Sequence, residues 1–252
     1  MRINKKNVYF VLVEPQTPGN IGAAARALKT MGFSNLILIN PCDHLAAEAR
    51  WMAHASNEIL EKAQIFSHLE EFIKDMNWVV ATTQRDRNYH LPFYTPKEFC
   101  ERAVPMSVNH KIAIVFGREQ SGLTNEELSM CDAISTIPAH TKHPSLNLAQ
   151  SIMVYAYEMF QYAYEDLKEY PWKLATHGEL TTLYNHMRQA LQKADFVPID
   201  NWENFTVRFS RLLGRAQAEK RDIKVWHKIF KSFEQKIEEL EAEIKSLKSK
   251  DE

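Results

Sequence analysis

The composition lacks most of the features that mark a specialised class of protein. Cysteine is scarce: Cys42, Cys100 and Cys131 are odd in number and far apart. That argues against a disulfide framework and suits a reducing compartment. No apolar run is long enough to span a bilayer. The first residues, MRINKKNVYF, hold no signal-peptide hydrophobic stretch. The expectation is a cytoplasmic protein with no membrane partner. Neither sign of charge dominates, with 31 Lys and Arg against 32 Asp and Glu, a formal net of −1. There is no P-loop lysine. The early glycine turn reads GNIGAA rather than G-x-G-x-x-G, and no acidic residue follows where a dinucleotide fold needs one, which argues against a nucleotide-dependent oxidoreductase. No Ser-His-Asp or Cys-His signature stands out. His140 and His143 have no cysteine or carboxylate cluster at ligand spacing, so no metal is expected. Internal repeats and low-complexity tracts are absent.

What remains is an ordinary globular composition, 45% hydrophobic and 25% charged over 252 residues, enough for one large domain or two small ones. The first two-thirds alternate. Strand-like runs at 8–15, 35–41, 78–83, 111–117 and 133–139 are separated by helical patterns at 20–32, 44–53, 56–62, 67–75, 95–103 and 124–130. Continuous apolar strands between helices predict an α/β fold with a mostly parallel sheet covered on both faces. A longer helix follows, with Leu148, Ile152, Tyr155, Met159 and Ala163 at three- and four-residue steps.

Pro171 and Gly178 break this pattern, placing a boundary between a domain at 1–167 and an all-helical extension at 168–252. In the last helix Trp226, Phe230, Phe233, Ile237, Leu240, Ile244 and Leu247 are spaced 4-3-4-3-4-3, a heptad seam. Two readings are open: a helix packed on its own small bundle, or a coiled coil with a second copy. Charge is unevenly spread. Residues 205–231 carry eight Lys and Arg against two Asp and Glu, a patch that fits either a solvated helix face or a phosphate backbone.

Three stretches carry candidate chemistry. In PGNIGAAARALKTMGF a glycine turn feeds a helix on which Arg26 lies roughly 140° from Ile21, away from the packed face. Gly19, Gly22 and the alanines leave room for another backbone or a ligand. In IVFGREQSGLTNEEL a strand ends at Gly117 and is followed at once by Arg118 and Glu119, and ligands in open α/β sheets bind beyond strand carboxyl ends. Thr124 and Glu127 then read as a capping box. In TIPAHTKHPSLNLAQSI a strand ends near Ile137, and a polar loop leads through Ser145, Leu146 and Asn147 to a helix start able to hold a polar ligand edge.

Taken in order, EPQTPGNIGAAARALKTMGFSNLILINP, IVFGREQSGLTNEEL and IPAHTKHPSLNLAQSI resemble the three motifs of the SPOUT-class RNA methyltransferases, in particular the TrmJ-type tRNA 2′-O-methyltransferases. VVATTQRDR resembles the family's third-strand loop, and LLGRAQAEKRDIKVWHKIF its C-terminal RNA-binding segment. The resemblance implies a parallel sheet with a C-terminal trefoil knot, a pocket for S-adenosylmethionine, and a homodimer. It assigns cofactor binding to Thr82, Thr83, Gln84, Gly117, Ile137, Ser145, Leu146 and Asn147. It assigns the catalytic step to Arg26, reaching towards the partner subunit's cofactor, with Asn20, Glu119 and Asn147 shaping the site. Because an arginine stays protonated in proteins, the expected help from Arg26 is electrostatic. The implied substrate is cytidine or uridine at nucleotide 32 of the tRNA anticodon loop. Arg85, Arg87, Arg118, Arg208, Arg211, Arg215, Lys220 and Arg221 are the implied RNA contacts. Another tRNA or rRNA site, or a non-catalytic RNA-binding relic of the fold, are the alternatives.

Overall fold

A computed structural model describes residues 3–84, 91–140, 146–163 and 173–248. It divides into two compact units, Met1–Lys173 and Leu174–Glu252.

The first unit alternates strand and helix. Its strands are β1 (Val8–Val13), β2 (Leu36–Ile39), β3 (Gln64–Phe66), β4 (Trp78–Thr82), β5 (Phe93–Tyr94), β6 (Ile112–Phe116) and β7 (Ala133–Ser135). Its helices are α1 (Pro18–Thr30), α2 (Ala47–Ala53), α3 (Asn57–Glu61), α4 (Leu69–Ile73), α5 (Pro96–Ser107), α6 (Asn125–Ser129) and α7 (Leu148–Tyr162). The seven strands form one sheet in the order β3-β2-β1-β6-β4-β7-β5, and every pairing is parallel. The central strands β1, β2 and β6 are buried along their length except for the half-buried Tyr9, because helices cover both faces.

Successive side chains of β1 serve opposite faces. Val11 and Val13 join Ile37, Ile39, Val79 and Val115 in one apolar layer. On the other face Phe10 stacks on Phe116, and Phe116 meets the edge of Tyr155 from α7, with ring centroids 6.3 and 5.7 Å apart. The Tyr155 hydroxyl donates to Ser135 Oγ at 2.8 Å, fully buried, which pins α7 to the end of β7. Burial raises the pKa of that phenol, so it remains a neutral donor.

The central strands stand where the apolar runs predict them, but several end early. The run at 8–15 stops at Val13 because Glu14 turns into the left-handed region at φ 45°, ahead of Pro15. The run at 133–139 stops at Ser135. Strands β3 and β5 are edge strands without a continuous apolar run, and periodicity does not reveal them.

The glycine-rich start of α1 has a structural reason that its sequence left open. A Cβ on Gly22 would lie 2.1 Å from the Ala49 carbonyl oxygen of α2, well inside any real contact. The backbone that approaches Gly22 so closely belongs to the same chain, so the small residues of α1 serve α1–α2 packing.

The second unit is α8 (His177–Lys193), α9 (Trp202–Ala216) and α10 (Lys220–Lys248). A capping box of Thr176 with Glu179 starts α8. Leu180, Leu183, Met187, Ala190, Leu213, Ile223 and Phe230 form its core. Beside that core His186 Nδ1 and His227 Nδ1 lie 2.6 Å apart, with Glu234 against the other nitrogen of His186. Burial, and then His186, hold the His227 ring below the ordinary histidine range. The folded state therefore gives up that proton while the unfolded chain keeps it. The linkage leaves stability intact above the unfolded value of about 6.5 and removes it as pH falls through the window below. Calorimetric unfolding of the full chain should lose stability between pH 7 and 5, and His227→Gln should lessen that loss. Identical pH profiles for the two proteins would refute this.

Candidate active site

Strands β4, β6 and β7 end side by side, and the start of α7 faces their carboxyl ends. Between them lies a cleft of about 440 Å³. Thr82, Thr83, Gln84, Gly117, Glu119, Ile137 and Leu146 line it, together with Leu148, Ser151 and Tyr155 of α7. Six of the expected cofactor residues are thus brought together. Asn147 stands at the start of α7 outside the cleft lining, and Ser145 lies outside the described residues, as do Arg85, Arg87 and His143.

Side chains at the strand ends mostly hold the loops. The Thr82 hydroxyl donates to the Val115 carbonyl at 3.0 Å, the Gln84 amide donates to the Ile137 carbonyl at 2.7 Å, and the Thr136 hydroxyl donates to the Thr83 carbonyl at 2.5 Å. The first ties the end of β4 to β6, and the other two stitch the loop after β4 to the loop after β7. On the other side of β4, the loop after β6 folds tightly on itself. A Cβ on Gly117 would lie 2.3 Å from both Gly122 C and Leu123 N. No other residue lets Gly122 and Leu123 lie across the strand end in this way.

Arg118, expected on the RNA face, points inward. Its guanidinium donates to Glu14 at 2.8 Å, to both oxygens of Glu127 at 3.0 Å, and to the Gly122 carbonyl at 3.3 Å. Its side chain is only 13% exposed. The bidentate pair is geometrically specific. The bond from Arg118, more than any other cause, holds the Glu14 carboxyl below the usual range. Arg118 therefore clamps the end of β1, the loop after β6 and the start of α6. Glu127, read from sequence as a cap, has a second duty as its partner. Glu14 gave no sequence signal beyond an acidic residue at a strand end.

A second network joins the three motifs. The Glu119 carboxylate accepts from the backbone N–H groups of Gln16 at 3.0 Å and Thr17 at 3.1 Å, and from the Asn20 side-chain amide at 3.0 Å. Asn147 donates from Nδ2 to Asn20 Oδ1 at 2.8 Å, while its own Oδ1 caps α7 by accepting from Ala149 and Gln150. Burial works to raise the Glu119 carboxyl, but the bonds from Asn20, Gln16 and Thr17 outweigh it and hold it below the usual carboxylate range. An ionised Glu119 thus receives donors from the turn before α1, and that turn is tied in the same chain to the start of α7.

Arg26 stands apart. It is exposed on α1, it does not line the cleft, and among the described residues its guanidinium has no hydrogen-bond or ion-pair partner. In the second unit Arg208 pairs with Asp200 at 2.6 Å, Lys220 with Glu179 at 3.0 Å and Arg221 with Glu219 at 2.7 Å. Arg211 and Arg215, on the same face of α9 as Arg208, have no carboxylate partner among the described residues. Arg211 Nε is buried without a hydrogen-bond partner. Burial, and then the charges of Arg215 and Arg208, lower its pKa. Among the described residues no group of His, Cys, Asp and Glu could hold a metal, and no helix is long and apolar enough to cross a membrane.

The parallel sheet with a cleft at its strand ends is that of a methylase of the SpoU class, because residues 7–157 match the model of the SpoU rRNA Methylase family. Residues 178–242 match that of the tRNA methyltransferase TrmJ C-terminal domain. The chain belongs to the SpoU methylase family, in its TrmJ type. The tRNA (cytidine/uridine-2′-O-)-methyltransferase TrmJ of Salmonella choleraesuis is 34% identical over 238 residues, covering 91% of this chain and 97% of that protein. The crystal structure of TrmJ from Z. mobilis ZM4 superposes with a TM-score of 0.75 at 28% identity, covering 90% of this chain and 98% of that one. The uncharacterized tRNA/rRNA methyltransferase LasT of Escherichia coli is 44% identical over 154 residues, 60% of this chain and 67% of that protein.

The network makes a specific demand on position 20. Asn20→Ala removes one donor from a half-buried carboxylate and should cost about 1–3 kcal/mol. Asn20→Asp sets a second carboxylate against Glu119 and should cost more at neutral pH, with the excess relieved in acid as one group protonates. Denaturant unfolding of both variants at pH 7.5 and 4.5 tests this; equal losses at both pH values would show that Asn20 is not a partner of an ionised Glu119.

Proposed function

We propose that this chain is an S-adenosylmethionine-dependent tRNA 2′-O-methyltransferase acting on cytidine or uridine, with nucleotide 32 of the anticodon loop as its target. The observation that carries the reading is the cleft at the ends of β4, β6 and β7, in a chain that matches TrmJ proteins over nine-tenths of its length.

The cleft residues fit the cofactor. Its size, its backbone-rich walls at 117–122 and its apolar side chains Ile137, Leu146 and Leu148 suit a flat adenine beside a polar tail. Thr82 and Gln84 have their side chains turned to the protein, which leaves main-chain groups and apolar walls as the holding surfaces. Gly117, Ile137, Ser145 and Leu146 complete the proposed pocket, with Asn147 fixing the start of α7. S-adenosylmethionine, when bound, supplies a methyl group on a sulfonium. The chain's task is to place a ribose 2′-hydroxyl in line and to favour the charge that develops as its proton leaves. Glu119 positions: its oxygens already accept three hydrogen bonds. Arg26 stabilises: it remains cationic and has the freedom to hold a phosphate or a nascent alkoxide.

Arg26 lies six residues beyond Asn20, about 9 Å along α1 and on a different face, away from the cleft of its own chain. That position supports delivery of Arg26 to the cleft of a second copy, hence a homodimer. The exposed Trp51 and Met52 of α2, beside α1, supply apolar surface for it. The strand ends are proposed to be wrapped in the family's trefoil knot, and the enzyme is proposed to act in the cytoplasm without a metal. The domains are proposed to divide the work, residues 1–167 for catalysis and 168–252 for holding tRNA.

A second reading, methylation of an rRNA or of another tRNA position, is favoured by the 44% identity to LasT over the catalytic part. Methyl transfer to unmodified bulk tRNA followed by nucleoside mapping separates the two. Methylation at nucleotide 32 is expected; methylation elsewhere would replace the target. In the same assay Arg26→Ala should lower turnover by about 10²–10³-fold, the scale of losing one transition-state donor, while calorimetric cofactor binding is retained. Near-normal turnover would remove Arg26 from the mechanism.

The unpaired cations of α9 give a separate test. Neutralising Arg211 and Arg215 together should weaken tRNA binding and reduce the slope of log K against log salt by about 1–2. The same change at Arg221, already paired with Glu219, should alter the slope less. An unchanged slope in the double variant would return this face to plain solvation.

A further inference from the structure

The last helix is two things along its length. Its first half belongs to the bundle: Ile223 and Phe230 are buried, and Trp226 meets Phe209 and Phe230 with ring centroids 5.3 and 5.7 Å apart. The heptad seam continues past that point, and among the described residues it enters no core of the helical unit. Phe233, Leu240, Ile244 and Leu247 are 53%, 46%, 52% and 55% exposed. The helix nevertheless runs unbroken for 29 residues to Lys248. Four large apolar side chains on one stripe of a solvated helix are unfavourable unless something covers them.

We propose that the second half of α10 pairs with its own copy in a parallel, in-register, two-stranded coiled coil. The seam specifies this partner. Taking Phe230, Ile237 and Ile244 as a positions puts Phe233, Leu240 and Leu247 at d. Ile at a with Leu at d is the combination that favours parallel dimers. The flanking charges agree. Lys236 at g faces Glu241 at e of the partner helix, and Glu243 at g faces Lys248 at e, so both g-to-e′ pairs are attractive on both sides of a parallel pair. An antiparallel pair that aligns Ile237 with Leu240 sets Lys236 against Glu243 but Glu234 against Glu241, like charge on like charge, so only one of its two kinds of flanking pair is attractive. Lys236 now sits against Glu239 of its own helix, an exposed i,i+3 pair of a kind that contributes little, so it is free to turn. Glu234 is engaged by His186 and Lys193, and Glu238 by Lys193, so α8 accompanies α10 as far as Glu238, at positions off the a and d seam. The coil is short, about two heptads, but it extends a helix already nucleated by the bundle, so the usual cost of starting a helix is met.

This inference is independent of the catalytic reading and of any dimer made by the first unit. In a parallel pair the two Leu247 positions lie face to face, whereas in the antiparallel one they lie about 25 Å apart at 1.5 Å per residue. The full chain carrying Leu247→Cys is oxidised under mild conditions, beside wild type and the outward-facing Ala242→Cys. Both substituted sites are exposed, so folding is preserved. A covalent dimer with Leu247→Cys and none with the two controls is expected. Glu241→Lys added to Leu247→Cys should reduce its yield, and further addition of Lys236→Glu should restore it. No covalent dimer with Leu247→Cys overturns the coil. If that variant is still a dimer by sedimentation, the first-unit dimer stands and only the coil falls. Equal cross-linking at Ala242→Cys, or no response to the charge changes, also overturns it.

Discussion

The carboxylate of Glu119 is the joint on which the site depends. It stands three residues past the end of β6, yet it terminates the turn before α1, roughly 100 residues earlier, and through Asn20 it reaches Asn147 at the start of α7. Each of these segments begins or ends an element with backbone groups that lack a helical or sheet partner, and such groups must find one. One ionised group satisfies two orphan N–H donors and orients an amide that in turn orients a helix cap. The cleft is therefore held by its rim. Its walls come from strand ends fixed by the sheet, and three hydrogen bonds to one side chain tie the loop after β6 to the turn before α1.

Charge in this molecule is divided between groups that are used up and groups that are left free. Arg118 is surrounded by acceptors and clamps three segments. Arg26 is free among the described residues. The same division runs through the second unit, where Arg208, Lys220 and Arg221 meet carboxylates while Arg211 and Arg215 crowd each other. Crowding like charges in a folded state is unfavourable, so these two arginines add nothing to stability through their charges. The excess of positive charge at 205–231 is thus concentrated in fewer residues than a count suggests.

This division is also where the sequence stops being legible. The sheet was readable because four of its five central strands are continuous apolar runs, and burial on both faces writes that pattern plainly. The cleft was readable at Gly117, Thr82 and Ile137 because each stands at the end of such a run. Edge strands β3 and β5 were not, since a two- or three-residue strand with an exposed side needs no pattern. Gly22 was readable as room for another backbone or a ligand, but that the visitor is the backbone of Ala49 depends on how a helix returns over its neighbour, which no local spacing encodes. Arg118 and Arg26 carry the same guanidinium. The arrival of Glu14, from 104 residues away in the chain, together with the bidentate pairing to Glu127, separates a clamp from a free cation.

The heptad seam shows a different limit. From spacing alone it fitted equally a helix folded onto its own bundle and a helix paired with a second copy, and these looked like alternatives. The structure gives the first half of α10 to the bundle, and the proposed pairing needs only the second half. The bundle can cover only as much of α10 as α8 is long enough to reach, and α8 has 17 residues against 29. The remaining turns keep the same apolar spacing without the same neighbour. A stripe that outlasts its local partner, with Ile at a, Leu at d and complementary charges at g and e, is a specification for an identical helix rather than a surplus of hydrophobic residues.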